Sequence, residues 1–343
     1  MAFPVSGNSY VDCFYAAMEQ LGASVQPGIF SLQWLIKSLR CVDYVHLHWP
    51  SFQYEGKTTR EAIGGFGRFV FFLALIRWRG ARLVWTVHNL YPHDPSPLPV
   101  IDRLARRLLV RAGSLFLIHG PSAEEAALRE FPAMRGRTQL IEHGHWMDYY
   151  PNRITRLEAR NRLGLAAGDR VFLFFGLCKP YKGIEKLIRT FERLPAEAVL
   201  LIAGKFQSAD YETKIRALAG RSPRIRLFSG FVDREDVQVY LNACDMMVVP
   251  YTRFLTSGSV VLAMSFGRPV IAPAFGSARD TVRDGCGILY EPSERDGLEE
   301  AMHSALSARF DEARIRQEIS QASWQRSACL TCDYMRRLLP RTA

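Results

Sequence analysis

The sequence has no hydrophobic segment long enough to cross a membrane. Its longest apolar run, residues 69–76, is closed by Arg68 and Arg77, whereas a membrane-spanning helix needs roughly 20 apolar residues. No secretory signal is visible at the N-terminus. Hydrophobic residues make up 48% and charged residues 23% of the 343 residues, which is typical of a globular protein. We expect a cytoplasmic protein, and peripheral attachment to the inner face of the cytoplasmic membrane stays open.

Cysteines are few and scattered. The seven stand at positions 13, 41, 178, 244, 286, 329 and 332. An odd, unclustered set argues against a disulfide framework and for a reducing compartment. The C-x-x-C pair, Cys329 and Cys332, lies in a helical pattern without a second pair. We interpret these two as ordinary helix residues rather than as a redox or metal site.

Metal-binding patterns are also missing. The chain contains no Asp-x-Asp pair, a pattern common in transferases that hold a nucleotide diphosphate through a divalent ion. His46 with His48 and His143 with His145 form two H-x-H pairs, but no carboxylate–histidine set with metal-site spacing completes either. Positions i and i+2 of a strand share one face, so His46 and His48 are expected to face a polar cleft. The sequence predicts no metal and no cofactor, and lysines and helix ends would meet the charge of a departing anion.

Acidic residues are scarce in one stretch of this basic chain. The formal net charge is +10, and residues 60–111 contain nine arginines against three acids. Such a balance suits nucleotide phosphates or a lipid surface, and we expect no nucleic-acid partner because no nucleic-acid motif accompanies it. Residues 101–113 place leucines near one helix face with arginines around them, Arg106 included. This fits either a helix lying on an anionic membrane or a core-facing helix with solvated arginines. For residues 67–78 a membrane-dipping patch is the alternative, and we expect a buried helix.

Strand-like and helix-like segments alternate, which indicates two α/β halves with mostly parallel sheets. In the first half the predicted strands are 44–49, 82–89 and 115–120, and the predicted helices are 10–21, 58–79, 100–112 and 123–131. In the second half the predicted strands are 170–176, 198–204, 225–232, 246–251 and 269–273, and the predicted helices are 183–194, 211–218, 234–242 and 257–266. The turn-rich segment 141–154 is expected to connect the halves.

The predicted fold is therefore α/β, with two Rossmann-like, doubly wound domains facing a central cleft. Ligands bind outside the carboxyl ends of the strands in such sheets. The first domain is expected over residues 1–150 and the second over 151–322. The amphipathic segment 323–343 is expected to pack back on the first domain as a C-terminal helix.

One segment of the second domain is typical of a phosphate site. In FFGLCKPYKG, residues 174–183, a buried strand turns at a proline into Lys182 at the start of a helix. Backbone N–H groups also point outward at such a start. We prefer this interpretation to a solvated loop lysine, and Lys179 is a second candidate.

A second segment, LTSGSVVLAM at residues 255–264, supports the same chemistry. Ser257, Gly258 and Ser259 precede an apolar helix. Small hydroxyl residues cap helices, and glycine lets a ligand approach the backbone. These residues can cap the helix and also support a diphosphate.

Six of the eight histidines lie at strand ends or in the loops that follow. They are His46, His48, His88, His93, His143 and His145. The segment HNLYPHD, residues 88–94, holds two of them and Asp94. Because neutral histidine near pH 7 suits proton removal, His88, His93 and Asp94 are the candidates for a general base.

A series of motifs resembles, in order and context, those of the two-domain GT-B glycosyltransferases, particularly the family-4-like group. They are VHLHWP, TVHN, IEHGHW, FFGLCKPYKG, LLIAGKF, LFSGFVDREDVQVYLNACDMMVVPY and AMSFGRPVIAP. The resemblance covers nearly the whole chain. It implies an N-terminal domain that binds the acceptor and a C-terminal domain that binds the nucleotide sugar.

The resemblance also implies which residues hold the phosphates of the sugar donor. Lys182 matches the lysine that holds the diphosphate, and the segment Ser257 to Ser259 matches the helix start beneath it. Gly7 matches the glycine loop that approaches the donor phosphate.

For the sugar and the base, the resemblance implies a second set of residues. His88 matches the histidine that reaches the donor sugar, so its role is open between base and positioning. His143 and His145 are assigned to the same donor-binding region. The loop 228–232, with Phe231, matches the one that borders the nucleotide base.

The chain departs from the retaining family-4 pattern at its carboxylates. Two glutamates normally stand eight positions apart in that pattern, and Phe254 and Leu262 take their places here. Leu177 replaces the arginine of the usual Gly-Arg pair, and we assign Lys179 to compensate for it.

A narrower resemblance is to the bacterial exopolysaccharide branch of xanthan-type β-mannosyltransferases. It rests on HLHWP, HNL-x-PH, HGH-aromatic, PYKG and SG followed by S or T, here at 46–50, 88–93, 143–146, 180–183 and 257–259. That branch lacks the glutamate pair and inverts the anomeric centre. It implies a metal-independent hexosyltransferase that moves mannose from GDP-mannose to a polyprenyl-diphosphate-linked saccharide in exopolysaccharide biosynthesis. A retaining UDP-sugar enzyme of family-4 type and a non-catalytic GT-B partner subunit remain as alternatives.

Overall fold

The chain folds into two compact units. The computed structural model describes residues 2–3, 8–28 and 42–339. The first unit comprises Met1–Gly144 and Ala322–Ala343, and the second comprises His145–Gln321. The chain thus leaves the first unit between Gly144 and His145 and returns to it at Ala322.

The first unit contains a parallel sheet with the strand order β1-β2-β3-β4-β5. Its strands are β1 Ala2–Phe3, β2 Tyr44–Leu47, β3 Arg82–Thr86, β4 Leu115–His119 and β5 Thr138–Ile141. The register pairs Leu47 with Trp85 and Thr86 with Leu117. The carboxyl ends of β2, β3 and β4 therefore meet at one edge of the sheet.

Four described helices follow these strands in the first part of the chain. They are α1 Ser9–Gln20, α2 Thr59–Trp78, α3 Pro99–Ala112 and α4 Pro121–Glu130. α2 begins with a capping box, in which the Glu61 N–H donates to the Thr58 hydroxyl and the Thr58 N–H donates to the Glu61 carboxylate. α3 and α4 both begin with proline, whose missing N–H would be unpaired at a helix start in any case.

The outer face of α2 carries an apolar stripe. Ile63, Val70, Phe71 and Trp78 recur at helical spacing and are 55, 36, 53 and 74% exposed. The expectation of a buried helix over 67–78 is therefore wrong for this face, although the opposite face lies in the core. No helix in the described ranges is both long and apolar enough to span a bilayer.

α3 packs beside α2 and differs from the expectation at one arginine. Arg106 is 2% exposed instead of solvated. Its Nε donates to the Leu90 carbonyl at 2.8 Å, and its guanidinium lies 5.3 Å from the centre of the Trp85 ring. The other arginines of this helix, Arg103, Arg107 and Arg111, are exposed.

The second unit contains a parallel sheet with the strand order β11-β10-β9-β6-β7-β8. Its strands are β6 Arg170–Phe175, β7 Ala198–Gly204, β8 Ile225–Ser229, β9 Met246–Val248, β10 Val270–Pro273 and β11 Gly287–Tyr290. The chain moves outward from β6 to β8, then crosses to β9 on the other side of β6. β6 and β9 therefore form a topological switch point, the place where open α/β sheets bind ligands.

The helices of the second unit cover both faces of this sheet in the usual doubly wound way. They are α5 Arg156–Arg162, α6 Ile184–Phe191, α7 Ala209–Ala219, α8 Val237–Ala243, α9 Gly258–Ser265, α10 Gly276–Thr281, α11 Gly297–Ser307 and α12 Glu312–Ser320. The predicted strands 225–232 and 246–251 end earlier, at Ser229 and Val248. The segment with Phe231 is therefore a loop.

The C-terminal helix α13, Trp324–Leu338, packs on the first unit, as predicted. It contacts α1 and β5, and the Ser327 hydroxyl donates to the Glu142 carbonyl at 2.7 Å. A side chain at Gly144 would collide with the Trp324 ring. Glycine is therefore required at position 144, the last residue of the first of the two chain segments that form this unit.

Candidate functional site

Two loops of the second unit leave the sheet at the switch point and converge on one lysine. The loop after β6 contains a 3-10 helix, Pro180–Lys182, and the loop after β9 leads through Tyr251 to α9. Gly183, with a φ of 70°, holds the two loops together, because a side chain there would collide with the carbonyl oxygen of Pro250.

Lys182 is a buried cation beside open space. It is 8% exposed, and its ammonium lies 4.7 Å from the centre of the Tyr251 ring. The Tyr251 hydroxyl is 2.9 Å from Oγ of Ser259. A Cβ on Gly176 would lie 3.8 Å from Nζ of Lys182 and 3.9 Å from Oγ of Ser259, so the absent side chain leaves room next to both groups.

No ion pair among the described residues includes Lys182. A buried charge normally has a partner, because removing it from water costs several kcal/mol, on the order of 5. An anionic ligand with several oxygen acceptors would supply that partner. The arrangement can therefore bind a phosphate or diphosphate.

The start of α9 lies beside this lysine and differs from the predicted cap. Ser257 stands at the N-cap position but makes no side-chain capping bond, and its buried hydroxyl has no hydrogen-bond partner among the described residues. Its N–H donates instead to Oγ of Ser277 at 3.1 Å. The expectation of a side-chain cap is wrong, and the first N–H groups of α9, from Gly258 and Ser259 onward, keep their ability to bind an anion.

The other residues predicted in this unit lie in three places. Lys179 is half-buried at the start of the 3-10 helix that carries Lys182. His145 is half-buried, and burial lowers its pKa while Asp148 opposes the shift. Phe231 is 80% exposed beside a cavity of about 300 Å³. Of these three, Lys179 shares its loop with Lys182.

Five histidines of the first unit form a cluster near the carboxyl ends of its strands. They are, in order of contact, His46, His48, His88, His119 and His143, and successive ring centroids are 4.4, 5.3, 5.6 and 5.6 Å apart. The sequence did not single out His119, although its place at the end of a predicted strand was the available signal. His46 and His48 are 3% and 1% exposed, and their ring nitrogens contact other polar side chains. That they face a polar cleft stays a prediction.

A continuous hydrogen-bond chain runs through this cluster. Oγ1 of Thr86 is 2.8 Å from Nε2 of His46, whose Nδ1 is 2.9 Å from the Tyr15 hydroxyl. That hydroxyl is 2.8 Å from Nε2 of His48, whose Nδ1 is 3.0 Å from Nε2 of His88. The groups come from α1, β2 and β3 and the segments after these strands, so the register of the sheet brings them together.

Burial keeps the cluster uncharged. It lowers the pKa of His46 and of His119 to about 3 and that of His143 to about 4. The pKa values of His48 and His88 also lie well below the ordinary histidine value, because burial and the neighbouring histidines both disfavour the charged ring. Each ring is therefore neutral near pH 7, with one N–H donor and one nitrogen acceptor.

The three predicted bases differ in their surroundings. His88 is 7% exposed and stacks on Trp49, with centroids 4.4 Å apart. His93 is half-buried and Asp94 is exposed, later in the same loop. Gly7 lies outside the described residues. Within the described ranges, no group of three or more His, Cys, Asp or Glu residues is arranged to hold a metal ion.

Comparison with known proteins gives matches to both the sequence and the fold. Residues 169–308 match the family described as Glycosyl transferases group 1. The chain is 27% identical over 334 residues to a GDP-mannose:glycolipid 4-beta-D-mannosyltransferase of Xanthomonas campestris pv. campestris, which covers 93% of this chain and 85% of that relative.

Two solved structures share the arrangement of helices and strands. The sucrose-phosphate synthase from Thermosynechococcus elongatus has a TM-score of 0.71 and 21% identity, over 92% of this chain and 80% of that one. Anabaena Alr3699/HepE in complex with UDP has a TM-score of 0.71 and 17% identity, over 98% of each chain. Residues 169–308 therefore resemble a group 1 glycosyltransferase domain, and the chain has the two-domain α/β fold known as GT-B.

Proposed function

We propose that this protein transfers a hexose from a nucleoside-diphosphate sugar to a lipid-linked saccharide, without a metal ion or other cofactor. The observation that carries the proposal is the buried Lys182, which has no carboxylate partner within the described residues and lies beside the open start of α9. The diphosphate of the sugar donor would pair with this ammonium and with the N–H groups of the helix. The same contacts would stabilise the nucleoside diphosphate as it leaves.

We assign GDP-mannose as the sugar donor, from which mannose is transferred with inversion. The Xanthomonas relative carries GDP-mannose and a glycolipid in its name. Phe254 packs against Phe275, with centroids 4.7 Å apart, and Leu262 is 7% exposed within α9. Neither position offers the carboxylate with which the retaining family-4 enzymes contact sugar and ribose, which favours the inverting reaction over a retaining UDP-sugar transfer.

Inversion proceeds by a single displacement. The acceptor hydroxyl attacks the anomeric carbon, its proton passes to a base, and the nucleoside diphosphate leaves from the opposite face. The candidates for the base are His88, His93 and Asp94, which follow β3 on one loop. A non-catalytic partner subunit would need neither this loop nor an unpaired buried lysine.

The outer surface of α2 and α3 supports an anionic membrane as the place where the acceptor is held. α3 also has exposed apolar side chains, Val100 and Leu104, which are 47% and 42% exposed. Exposed arginines lie on the same two helices: Arg68, Arg77, Arg103, Arg107 and Arg111. Apolar side chains that insert among lipid tails, ringed by cations that meet lipid phosphates, are the features of an interfacial helix. The enzyme would then work at the cytoplasmic face of the membrane, where polyprenyl-diphosphate-linked saccharides are available to it.

A panel of nucleotide sugars tests the function directly. Ligands that bind only the folded state raise the melting temperature, by an amount that grows with their affinity. We expect GDP-mannose to raise it more than UDP-glucose or UDP-glucuronate, and we expect turnover of GDP-mannose with a polyprenyl-diphosphate-linked acceptor to give a β-linked product in the presence of EDTA. Stabilisation by UDP-sugars alone would favour the retaining enzyme, and binding without turnover would favour the non-catalytic subunit.

A further inference from the structure

The buried hydrogen-bond chain that ends at His88 has a direction. It contains five groups, Thr86, His46, Tyr15, His48 and His88, linked by four contacts of 2.8 to 3.0 Å. Each hydroxyl brings one proton, and each neutral imidazole brings one N–H and one acceptor nitrogen. Every contact must pair one donor with one acceptor, so only a few arrangements of the protons are possible.

Thr86 decides which way the chain runs. It is 0% exposed, and the hydroxyl contacts His46 and no other group among the described residues. If Thr86 donates to Nε2 of His46, then His46 Nδ1–H donates to Tyr15, Tyr15 donates to Nε2 of His48, and His48 Nδ1–H donates to Nε2 of His88. All four contacts are then satisfied, and Nδ1–H of His88 is the one proton of these five groups that finds no acceptor within the chain.

Each other arrangement leaves a hydroxyl proton without an acceptor. If the chain runs in reverse, the Thr86 hydroxyl proton is buried without an acceptor. If His46 and His48 both donate to Tyr15, the hydroxyl proton of Tyr15 has no acceptor. A buried donor without a partner loses its water contact and gains nothing in return. The direction from Thr86 to His88 is therefore the favoured one.

We propose that this chain fixes His88 as the tautomer with its proton on Nδ1, so that His88 donates a hydrogen bond to an oxygen of a substrate sugar and does not act as the base, because His48 already occupies its Nε2. Thr86, His46, Tyr15 and His48 are positioning residues that set the proton on His88. The proposal rests on the proposed function, in which His88 is one of three candidates for the base. It leaves His93 and Asp94 as the candidates that accept the proton of the attacking hydroxyl.

Long-range proton–nitrogen NMR of the histidine rings tests the tautomer on the whole protein without substrate. The His88 signals are assigned by their loss in His88→Gln. We expect a protonated Nδ1 and an unprotonated Nε2 in the wild-type protein at pH 7.5. A protonated Nε2 on His88 would overturn the proposal, whatever the activity of the enzyme.

Three variants separate positioning from folding. Thr86→Val removes the hydroxyl and keeps the shape, so His88 should populate both tautomers. The KM for one of the two substrates, the sugar donor or the acceptor, should rise roughly three- to tenfold, with a smaller change in kcat. Thr86→Ser keeps the hydroxyl and should restore the wild-type tautomer and KM. Tyr10→Phe is the matched control, because it removes a buried hydroxyl bonded to His119, outside the chain.

The outcomes distinguish this inference from the proposed function. An unchanged His88 tautomer in Thr86→Val contradicts the direction of the chain. A changed tautomer with an unchanged KM for both substrates contradicts the contact of His88 with a substrate sugar. Absence of turnover by the wild-type protein, with any nucleotide sugar, instead contradicts the proposed function, and the NMR result then still decides the direction of the chain.

Discussion

The Lys182 ammonium lies 4.7 Å from the centre of the Tyr251 ring, and the hydroxyl of that tyrosine is 2.9 Å from Oγ of Ser259. One aromatic side chain thus supports both the cation and the helix start that we assign to the diphosphate. The ring face attracts the ammonium without neutralising it. A carboxylate in this place would pair with Lys182 and compete with the phosphates, so an aromatic residue suits a lysine that must remain available to an anion.

Replacing Lys182 tests the charge itself. Lys182→Ala should lower kcat/KM for the sugar donor about 100- to 1,000-fold, the usual effect of removing one group that stabilises developing negative charge. It should also abolish the rise in melting temperature with GDP. The matched control is Lys186→Ala, at an exposed lysine of α6, which should behave like the wild-type protein. Equal kinetics of the two variants would remove Lys182 from the site.

Variants of Tyr251 separate the hydroxyl from the ring. Tyr251→Phe loses the hydrogen bond to Ser259 and keeps the ring beneath Lys182, so we expect donor affinity to fall roughly three- to tenfold. Tyr251→Leu loses both contacts and should bind GDP more weakly than Tyr251→Phe. Isothermal titration with GDP measures the difference. If the two variants bind equally, the ring does not support the lysine.

Some residues of this site could be predicted from the sequence, and others could not. Lys182 was predictable because a buried strand, a proline and a glycine surround it, and that local pattern is typical of a loop at the end of a parallel strand. Tyr251 was not predictable, because a tyrosine after a predicted strand indicates an aromatic residue of the core. Its contact with Lys182 arises from the pairing of β6 with β9, and the sequence does not specify which strands are neighbours.

The same holds for the fold: some elements could be predicted from their own residues, and others depend on neighbours that are distant in the sequence. Long, strongly periodic segments such as α2 and β7 were predictable from their own residues. β5 and β11, with the sequences TQLI and GILY, were not predicted, because the first is half polar and the second begins with glycine. Their neighbours β4 and β10 stabilise them as strands. The histidine cluster likewise needs the sheet register and α1, which supplies Tyr10 and Tyr15.

The buried histidines should make the protein less stable in acid. Their folded pKa values, about 3 for His46 and His119 and about 4 for His143, lie below the unfolded value of about 6.5. The unfolded chain therefore binds more protons between these limits. The contribution of these histidines to the free energy of unfolding should be fully present above about pH 6.5. It should fall as the pH drops toward 4, by about 1.4 kcal/mol per pH unit for each such histidine.

Urea unfolding between pH 7 and pH 5 measures this slope. His119→Gln removes one of the titrating rings and should make the free energy of unfolding less dependent on pH. His303→Gln, at an exposed histidine of α11, serves as the control and should keep the wild-type slope. A slope that His119→Gln leaves unchanged would show that this ring accepts a proton in the folded state.

The apolar stripe of α2 gives a prediction for membrane binding. Phe71 and Trp78 are 53% and 74% exposed, and burying two large side chains in lipid is worth at least about 3 kcal/mol. The double variant Phe71→Ser, Trp78→Ser should therefore partition at least about tenfold more weakly onto vesicles that contain anionic lipid, as measured by flotation. Leu157→Ser is the matched control, since Leu157 is 63% exposed in the second unit. Equal flotation of both variants would contradict insertion of the stripe, and equal binding to neutral vesicles would contradict the role of the surrounding arginines.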